Sequence, residues 1–329
     1  MPRSGPTFEI IAVEGEASFW DDRATVLACL NETTPRIPPW FGYDELGSEL
    51  FESITELPTY YLTRIERGLL HRHATEIAGS LDCGWIAELG SGSAKKTRLL
   101  LAACVQQRET TYLPIDVSRE MLQISGTALQ AALPGLRVIG VWGRYEAGLG
   151  WLRDFGREPV VVAFLGGNLG NTTPEERDAL LADIAATLRP GDGFLVSADL
   201  QKPGAVFETC YNDPPGRSAF ARFRLNHLTH LNRRFGADFD LNRYRPRAHY
   251  DHAHARVEGH LYATEDHDVS VPGLGHKLHL RSGDSINVGF SAKFDHRGFV
   301  ADLAAHGLRH QAEWVDRTWR YGIFLFRRT

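Results

Sequence analysis

The stretch "GWIAELGSGSAKKTRLLLAACVQ", Gly84–Gln106, decides the fold. Its first six residues form a short apolar run interrupted only by Glu88, as expected of a strand inside a sheet. From Lys95 to Gln106 the leucines and alanines recur at helical spacing. Between the two stand Gly90 and Gly92, which permit a tight turn and a close backbone approach to a ligand. Strand, glycine turn and helix make the first half of a βαβ unit. The spacing is neither the full G-x-G-x-x-G of dinucleotide binding nor a phosphate-binding G-x-x-x-x-G-K-[ST].

Downstream the same alternation continues. Strand "TYLPI", a helix over Ser118–Leu133, strand "LRVIGV", strand "VVVAFL", a helix over Pro174–Leu188 and strand "GFLVSA" follow in turn. Short apolar strands alternating with longer helices predict an α/β fold, a Rossmann-like, doubly wound and mostly parallel sheet. The alternation stops near Asp199. Residues 200–290 read instead as two helices and several short strands, an inserted α+β module. A last helix, "RGFVADLAAHG", and strands "HQAEWVDR" and "YGIFLFR" return to the first pattern. Upstream come a short helix near Asp21–Leu30, the proline-rich turn "NETTPRIPPW", a helix over Asp44–Glu56 and a second from Thr63. The expected domains are therefore a core of residues 1–28, 65–199 and 291–329, and a second, substrate-binding domain of 29–64 and 200–290.

Composition narrows the function classes. The chain has 329 residues, is 43% hydrophobic and 23% charged, and carries a net charge of −5. That is ordinary globular composition. The densest basic stretch, "NRRFGADFDLNRYRPR", is interrupted by acids, so no nucleic-acid partner is expected. Cys29, Cys83, Cys104 and Cys210 form no C-x-x-C pair and read as reduced thiols of a cytoplasmic protein. No apolar leader and no membrane-length run is found. A monomer acting on a small molecule is expected.

The second strand ends in "PIDVS", which puts Asp116 at a carboxyl end, where a carboxylate takes ribose hydroxyls. Glycine turn plus second-strand acid indicates an adenosine-containing ligand. The fourth strand ends in "FLGGNLGNTTPEER". Thr173, Pro174 and the two acids behind them are helix-start chemistry. Capping needs neither Gly166, Gly167 and Gly170 nor Asn171, which suit a floor that a small substrate approaches. In "HYDHAHARVEGH", His252 and His254 could share a strand face as a metal pair. No cysteine or carboxylate set completes that site, and no metal is expected.

Glu-x-Gly-x-Gly followed by an acidic second strand resembles the class I S-adenosylmethionine-dependent methyltransferases. Six segments make the likeness specific: "YDELGSELFESITELPTYYLTRIE", "ELGSGSAKKTRLLL", "PIDVS", "FLGGNLGNTTPEER", "RFGADFDL" and "SAKF". Together, in this order, they resemble the histidine Nα-methyltransferases that form hercynine for ergothioneine biosynthesis. The resemblance implies S-adenosylmethionine held by Gly90, Lys96 and Asp116, with Tyr145 near the adenine. It implies a substrate amine held by Tyr60 and Asn171, the catalytic pair, and a carboxylate near Gly166 and Tyr211. Tyr43 and Ser291 would contact the imidazole. Without the family pattern, the alternative reading of Tyr43, Tyr60 and Tyr61 is as half-buried core tyrosines with their hydroxyls in water.

Three positions depart from the family. Arg144 stands where the family has an acid near the adenine. Gly289, in "INVGFSAKF", stands where the family has an imidazole-binding glutamate. Gly259 stands where it has a methionine beside the ring. Losing the carboxylate removes the partner of an imidazole N–H, and losing the thioether enlarges the pocket. The expectation is a bulkier or less polar side chain than histidine's, such as tryptophan or a modified aromatic amino acid. Asn287 or His260 could compensate and keep histidine as substrate. A bulge is the plain alternative reading of Gly289. Two other classes stay open: a methyltransferase of a macromolecule, and a non-catalytic S-adenosylmethionine-binding protein.

Overall fold

The structure is a computed structural model that describes residues 8–15, 22–155 and 158–329. The chain divides into two compact units. The first takes in the described residues of Met1–Phe19, Ile65–Leu200 and Phe294–Thr329, and the second those of Trp20–Arg64 and Gln201–Lys293.

The first unit is built on β1 (Glu9–Ala12), β2 (Trp85–Leu89), β3 (Thr110–Asp116), β4 (Leu136–Trp142), β5 (Val160–Phe164) and β6 (Gly193–Asp199). The chain's last strands, β12 (Leu308–Asp316) and β13 (Tyr321–Arg328), complete one sheet in the order β1-β4-β3-β2-β5-β6-β13-β12. Pairing is parallel from β1 to β6, while β13 runs antiparallel to both β6 and β12. Every residue of β5 and β6 is buried, which is why these strands read as unbroken apolar runs. The chain enters the sheet's centre at β2, moves outward to β3 and β4, then returns to β5 on the other side of β2. That reversal is the topological switch point, where ligands of such sheets bind beyond the carboxyl ends.

The helix Pro174–Thr187 starts as its sequence dictates. The Thr173 hydroxyl accepts from the Glu176 N–H at 3.1 Å, and the Glu176 carboxylate accepts from the Thr173 N–H at 2.8 Å. The helix Tyr145–Asp154 has no counterpart in the sequence reading. Gly148 and Gly150 interrupt its pattern, yet Gly148 is needed: a Cβ there would stand 2.5 Å from Ile115 Cγ2.

The second unit holds β7 (Tyr244–Asp251), β8 (Arg256–Ala263), β9 (His267–Val271), β10 (His276–Leu280) and β11 (Ser285–Ala292). They form a three-stranded sheet, β11-β8-β7, and a β10-β9 hairpin. The strand β7 escapes sequence reading because "YRPRAHYD" lacks apolar alternation, and its proline is tolerated at a sheet edge. The long helix Ala219–Phe235 places Leu228, Leu231 and Phe235 against Leu261, Val269 and Ile286.

The helix Arg23–Leu30 corrects the expected boundary, which put residues up to 28 with the sheet. Val26 and Leu30 are fully buried in the second unit's core beside Ile37 and Phe41. Asp21, the expected first residue of that helix, lies outside the described residues. The seam between Arg64 and Ile65 falls where expected, and the other two lie one and three residues further on: the second unit ends at Lys293, so Ser291 belongs to it. Replacing Leu30 by alanine will therefore destabilise the second unit by about 2–5 kcal/mol. Urea unfolding checks this, and a loss below about 1 kcal/mol would contradict the packing described.

Candidate active site

In the first unit, the turn after β2 carries three left-handed residues, Gly90 (φ 64°), Gly92 (φ 51°) and Ala94 (φ 50°). A Cβ on Gly90 would lie 2.6 Å from the Tyr145 hydroxyl, so Tyr145 closes down on this turn. Nothing lies within 4 Å of the Cβ position of Gly92, which faces open space. Both Asp116 oxygens are oriented by the backbone: Gly92 N–H donates to one and Ser118 N–H to the other, each at 2.9 Å. Burial raises the pKa of this carboxyl, and those N–H donors counter the rise.

The acid that organises the site is Glu66, on the helix Tyr61–Leu81. It is buried, and Lys96 Nζ lies 2.6 Å from its Oε2. Its Oε1 accepts from the Gly166 N–H at 2.7 Å and from the Tyr321 hydroxyl at 3.2 Å. Burial pushes this carboxyl up, but the charge and hydrogen bond of Lys96 outweigh it and hold the pKa below the ordinary value. Lys96 and Gly166 are thus brought together by a residue that sequence reasoning did not assign. A Cβ on Gly166 would stand 2.8 Å from Lys96 Nζ. Asn171 ends a short 3-10 turn, Asn168–Asn171, just beyond β5. Arg144 is engaged elsewhere: its guanidinium and backbone N–H bond the Glu14 carboxylate.

In the second unit, Tyr60 is buried, its ring edge-on to Tyr211 at 6.0 Å and to Phe220 at 5.8 Å. Tyr43 is 44% exposed and packs edge-on against Phe51 and Phe223. The Tyr211 hydroxyl donates to Ser291 Oγ at 3.1 Å, and Lys293 Nζ donates to both, at 2.8 and 3.0 Å. Lys293 is a buried cation that sequence reasoning passed over, although "SAKF" contains it.

The described residues correct several expectations. Gly289 does sit in a bulge: register shifts between Asn287 and Phe290, and its φ is 130°. Nothing lies within 4 Å of its Cβ position, so the bulge also opens space. Gly259 opens none, because its Cβ position is 3.0 Å from Arg224 Nε. His260 is committed to Ser285 Oγ at 3.0 Å and Glu258 Oε2 at 3.0 Å, and Asn287 accepts from the Gly289 N–H at 2.8 Å. His252 and His254 lie in the turn after β7, not on a strand face. The carboxylate missing from the sequence reading is Glu258, whose oxygen, with His249 and His260 nitrogens, forms a trio spanning 4.8 Å that could hold a metal ion. Arg256 already neutralises that carboxylate, with Nε 2.7 Å from Oε1.

The family model of the histidine-specific, S-adenosylmethionine-dependent methyltransferases matches residues 22–328. The chain belongs to this family. It is 36% identical over 305 residues to the histidine N-alpha-methyltransferase of Mycolicibacterium smegmatis, covering 92% of this chain and 94% of that one. The enzyme of the same name from Mycobacterium tuberculosis is 35% identical over 304 residues, with coverage of 92% and 94%. A more distant relative, the L-tryptophan methyltransferase trpM of Psilocybe serbica, is 24% identical over 313 residues, covering 87% and 86%. The protein is an S-adenosylmethionine-dependent N-methyltransferase of amino acids, with a Rossmann-like core and a second α+β unit. The open turn over Gly92 and the pre-oriented Asp116 at the switch point fit an adenosyl ligand. No helix among the described residues is long and apolar enough to cross a membrane.

In this methyltransferase a second buried acid, Glu88, accepts from Thr97 Oγ1 at 2.8 Å and from the Tyr112 hydroxyl. Burial pushes its pKa up to about 7, against those hydrogen bonds and Lys96. Its folded pKa lies above the unfolded value of 4.5, so the stability it contributes is full below 4.5 and is lost as pH rises through about 7. Glu88→Gln removes that loss. Its melting temperature relative to wild type should therefore rise between pH 5 and pH 8, by the equivalent of about 2–3 kcal/mol. A difference that stays flat across that range in thermal melts would rule out the assignment.

Proposed function

We propose that this enzyme methylates the α-amine of a free amino acid, successively, to a trimethylated betaine, and that its side-chain pocket takes a group other than histidine's imidazole. The observation that carries the reading is Gly289. Where the resemblance places an imidazole-binding carboxylate, the chain has a bulged glycine with open space over it. A buried imidazole N–H without its acceptor loses much of the discrimination such a site supplies. A larger or modified aromatic side chain suits the space. The second reading is histidine itself, favoured by the 36% identity to a relative of that name.

Bound S-adenosylmethionine supplies an electrophilic methyl group on a sulfonium. In our reading Gly90, Lys96, Asp116 and Tyr145 hold it. Tyr60 and Asn171 orient the amine by hydrogen bonds, so that its lone pair is aligned for in-line attack. No strong base is needed at these positions, because a nearby sulfonium charge lowers the ammonium pKa. Gly166 and Tyr211 take the carboxylate, and Tyr43, Gly259, Gly289 and Ser291 line the side chain. Of these, Tyr211 and Ser291 are hydrogen-bonded to each other and to Lys293, a polar set that supports substrate binding.

A mass-spectrometric screen of the twenty amino acids with S-adenosylmethionine tests the reading. The expected product is a methylated amino acid other than histidine. Rapid trimethylation of histidine with none of tryptophan would overturn it in favour of the second reading. Product from free amino acids also separates either reading from methylation of a macromolecule. The variant Gly289→Glu should raise the histidine-to-tryptophan ratio while losing about 1–3 kcal/mol of stability, since its φ of 130° suits glycine alone. No gain in that ratio, in a variant that still folds, would remove the specificity role of the position.

A further inference from the structure

We infer that Arg224 is a specificity-determining residue: its guanidinium recognises an anionic group, in the simplest case a carboxylate, on the side chain of the amino-acid substrate. This rests on the reading of the protein as a methyltransferase of a free amino acid.

The argument starts from what surrounds Arg224. It lies on the helix Ala219–Phe235 within the second unit and is only 6% exposed. One N–H, on Nη2, donates to the Tyr211 carbonyl. The guanidinium lies over the Phe220 ring, 5.0 Å from its centre. Among the described residues no carboxylate lies within ion-pairing distance, and Nε and Nη1 make no hydrogen bond. Asp213, the nearest acid to act on it, is occupied with the Phe220 and Ala221 N–H groups at 2.9 and 2.8 Å. Burial lowers its pKa to about 10, which leaves it a cation at neutral pH. A buried cation with one carbonyl for company is costly unless something pairs with it.

Its position tells what that something is. Arg224 Nε stands 3.0 Å from the Cβ position of Gly259, and the Gly289 carbonyl 3.6 Å from the same point. Arg224 therefore occupies the space the absent Gly259 side chain leaves, beside the open space over Gly289. The family pattern puts the substrate's side chain at these two glycines. The pocket has lost an anion at 289 and holds a cation at 224. Its polarity is reversed, and the planar fork of donors suits a carboxylate.

The test compares pairs of equal shape and unequal charge: 4-carboxy-L-phenylalanine against 4-carbamoyl-L-phenylalanine, and L-glutamate against L-glutamine. Histidine and tryptophan serve as references, and S-adenosylhomocysteine release is the readout for wild type, Arg224→Lys and Arg224→Met. In wild type at least one acid should exceed its amide by tenfold or more in kcat/KM. Arg224→Met should abolish that ratio, Arg224→Lys should retain part of it, and reference amino acids should change far less. The melting temperature of Arg224→Met should hold or rise, since an unpaired buried charge is removed. Equal acid and amide rates in wild type would overturn the inference while leaving the methyltransferase reading intact. So would a uniform rise in KM for every amino acid in Arg224→Met, which would assign the guanidinium to the α-carboxylate. Turnover of no amino acid at all would overturn the reading itself, and the inference with it.

Discussion

The first unit depends on one buried carboxylate. Glu66 is contacted by Lys96 from the turn after β2, by the Gly166 N–H from the turn after β5, and by the Tyr321 hydroxyl from β13. Three turns or strands far apart in sequence converge on it. Lys96 stands at the N-terminus of the helix Thr97–Gln107, where the helix dipole disfavours a cation. Glu66 offsets that and keeps the turn in place. Breaking such a pair strands a charge and costs about 3–5 kcal/mol. Burial raises the pKa of its neighbour Glu88 to about 7, and the charge of Glu66 adds a smaller push in the same direction.

That convergence also explains what was legible in the sequence. Strands β2 to β6 are covered on both faces, so they are short apolar runs, and the helices between them show plain helical spacing. Gly90 and Asp116 could be placed because the turn and the second-strand end follow from the same topology. Glu66 could not. It sits in an amphipathic helix, thirty residues from Lys96 and a hundred from Gly166. Nothing local distinguishes it from Glu76, the solvated acid of the same helix. Lys293, Glu258 and Arg224 were missed for the same reason: a charged side chain declares itself buried only through partners elsewhere in the chain. The bulge at Gly289 was half legible, since a glycine within a strand raises the question that only the register shift answers.

The pocket positions show how a size argument becomes a charge argument. From sequence, two glycines in place of a glutamate and a methionine mean an enlarged pocket. In the folded unit only one of them opens space. At Gly259 the room is taken by Arg224, close enough that a larger side chain at 259 would have to displace it. The small residue at 259 and the long one at 224 are thus one arrangement. At Gly289 the backbone itself, at φ 130°, would strain any side chain placed there. A pocket remade only for a larger apolar ring would gain most from an apolar residue at 224, because a buried guanidinium must be desolvated. The chain keeps the guanidinium there, with a single carbonyl as its hydrogen-bond acceptor. On the inference above, the desolvation cost of Arg224 is offset when an anionic side chain binds, and that would tie the choice of substrate to this buried guanidinium.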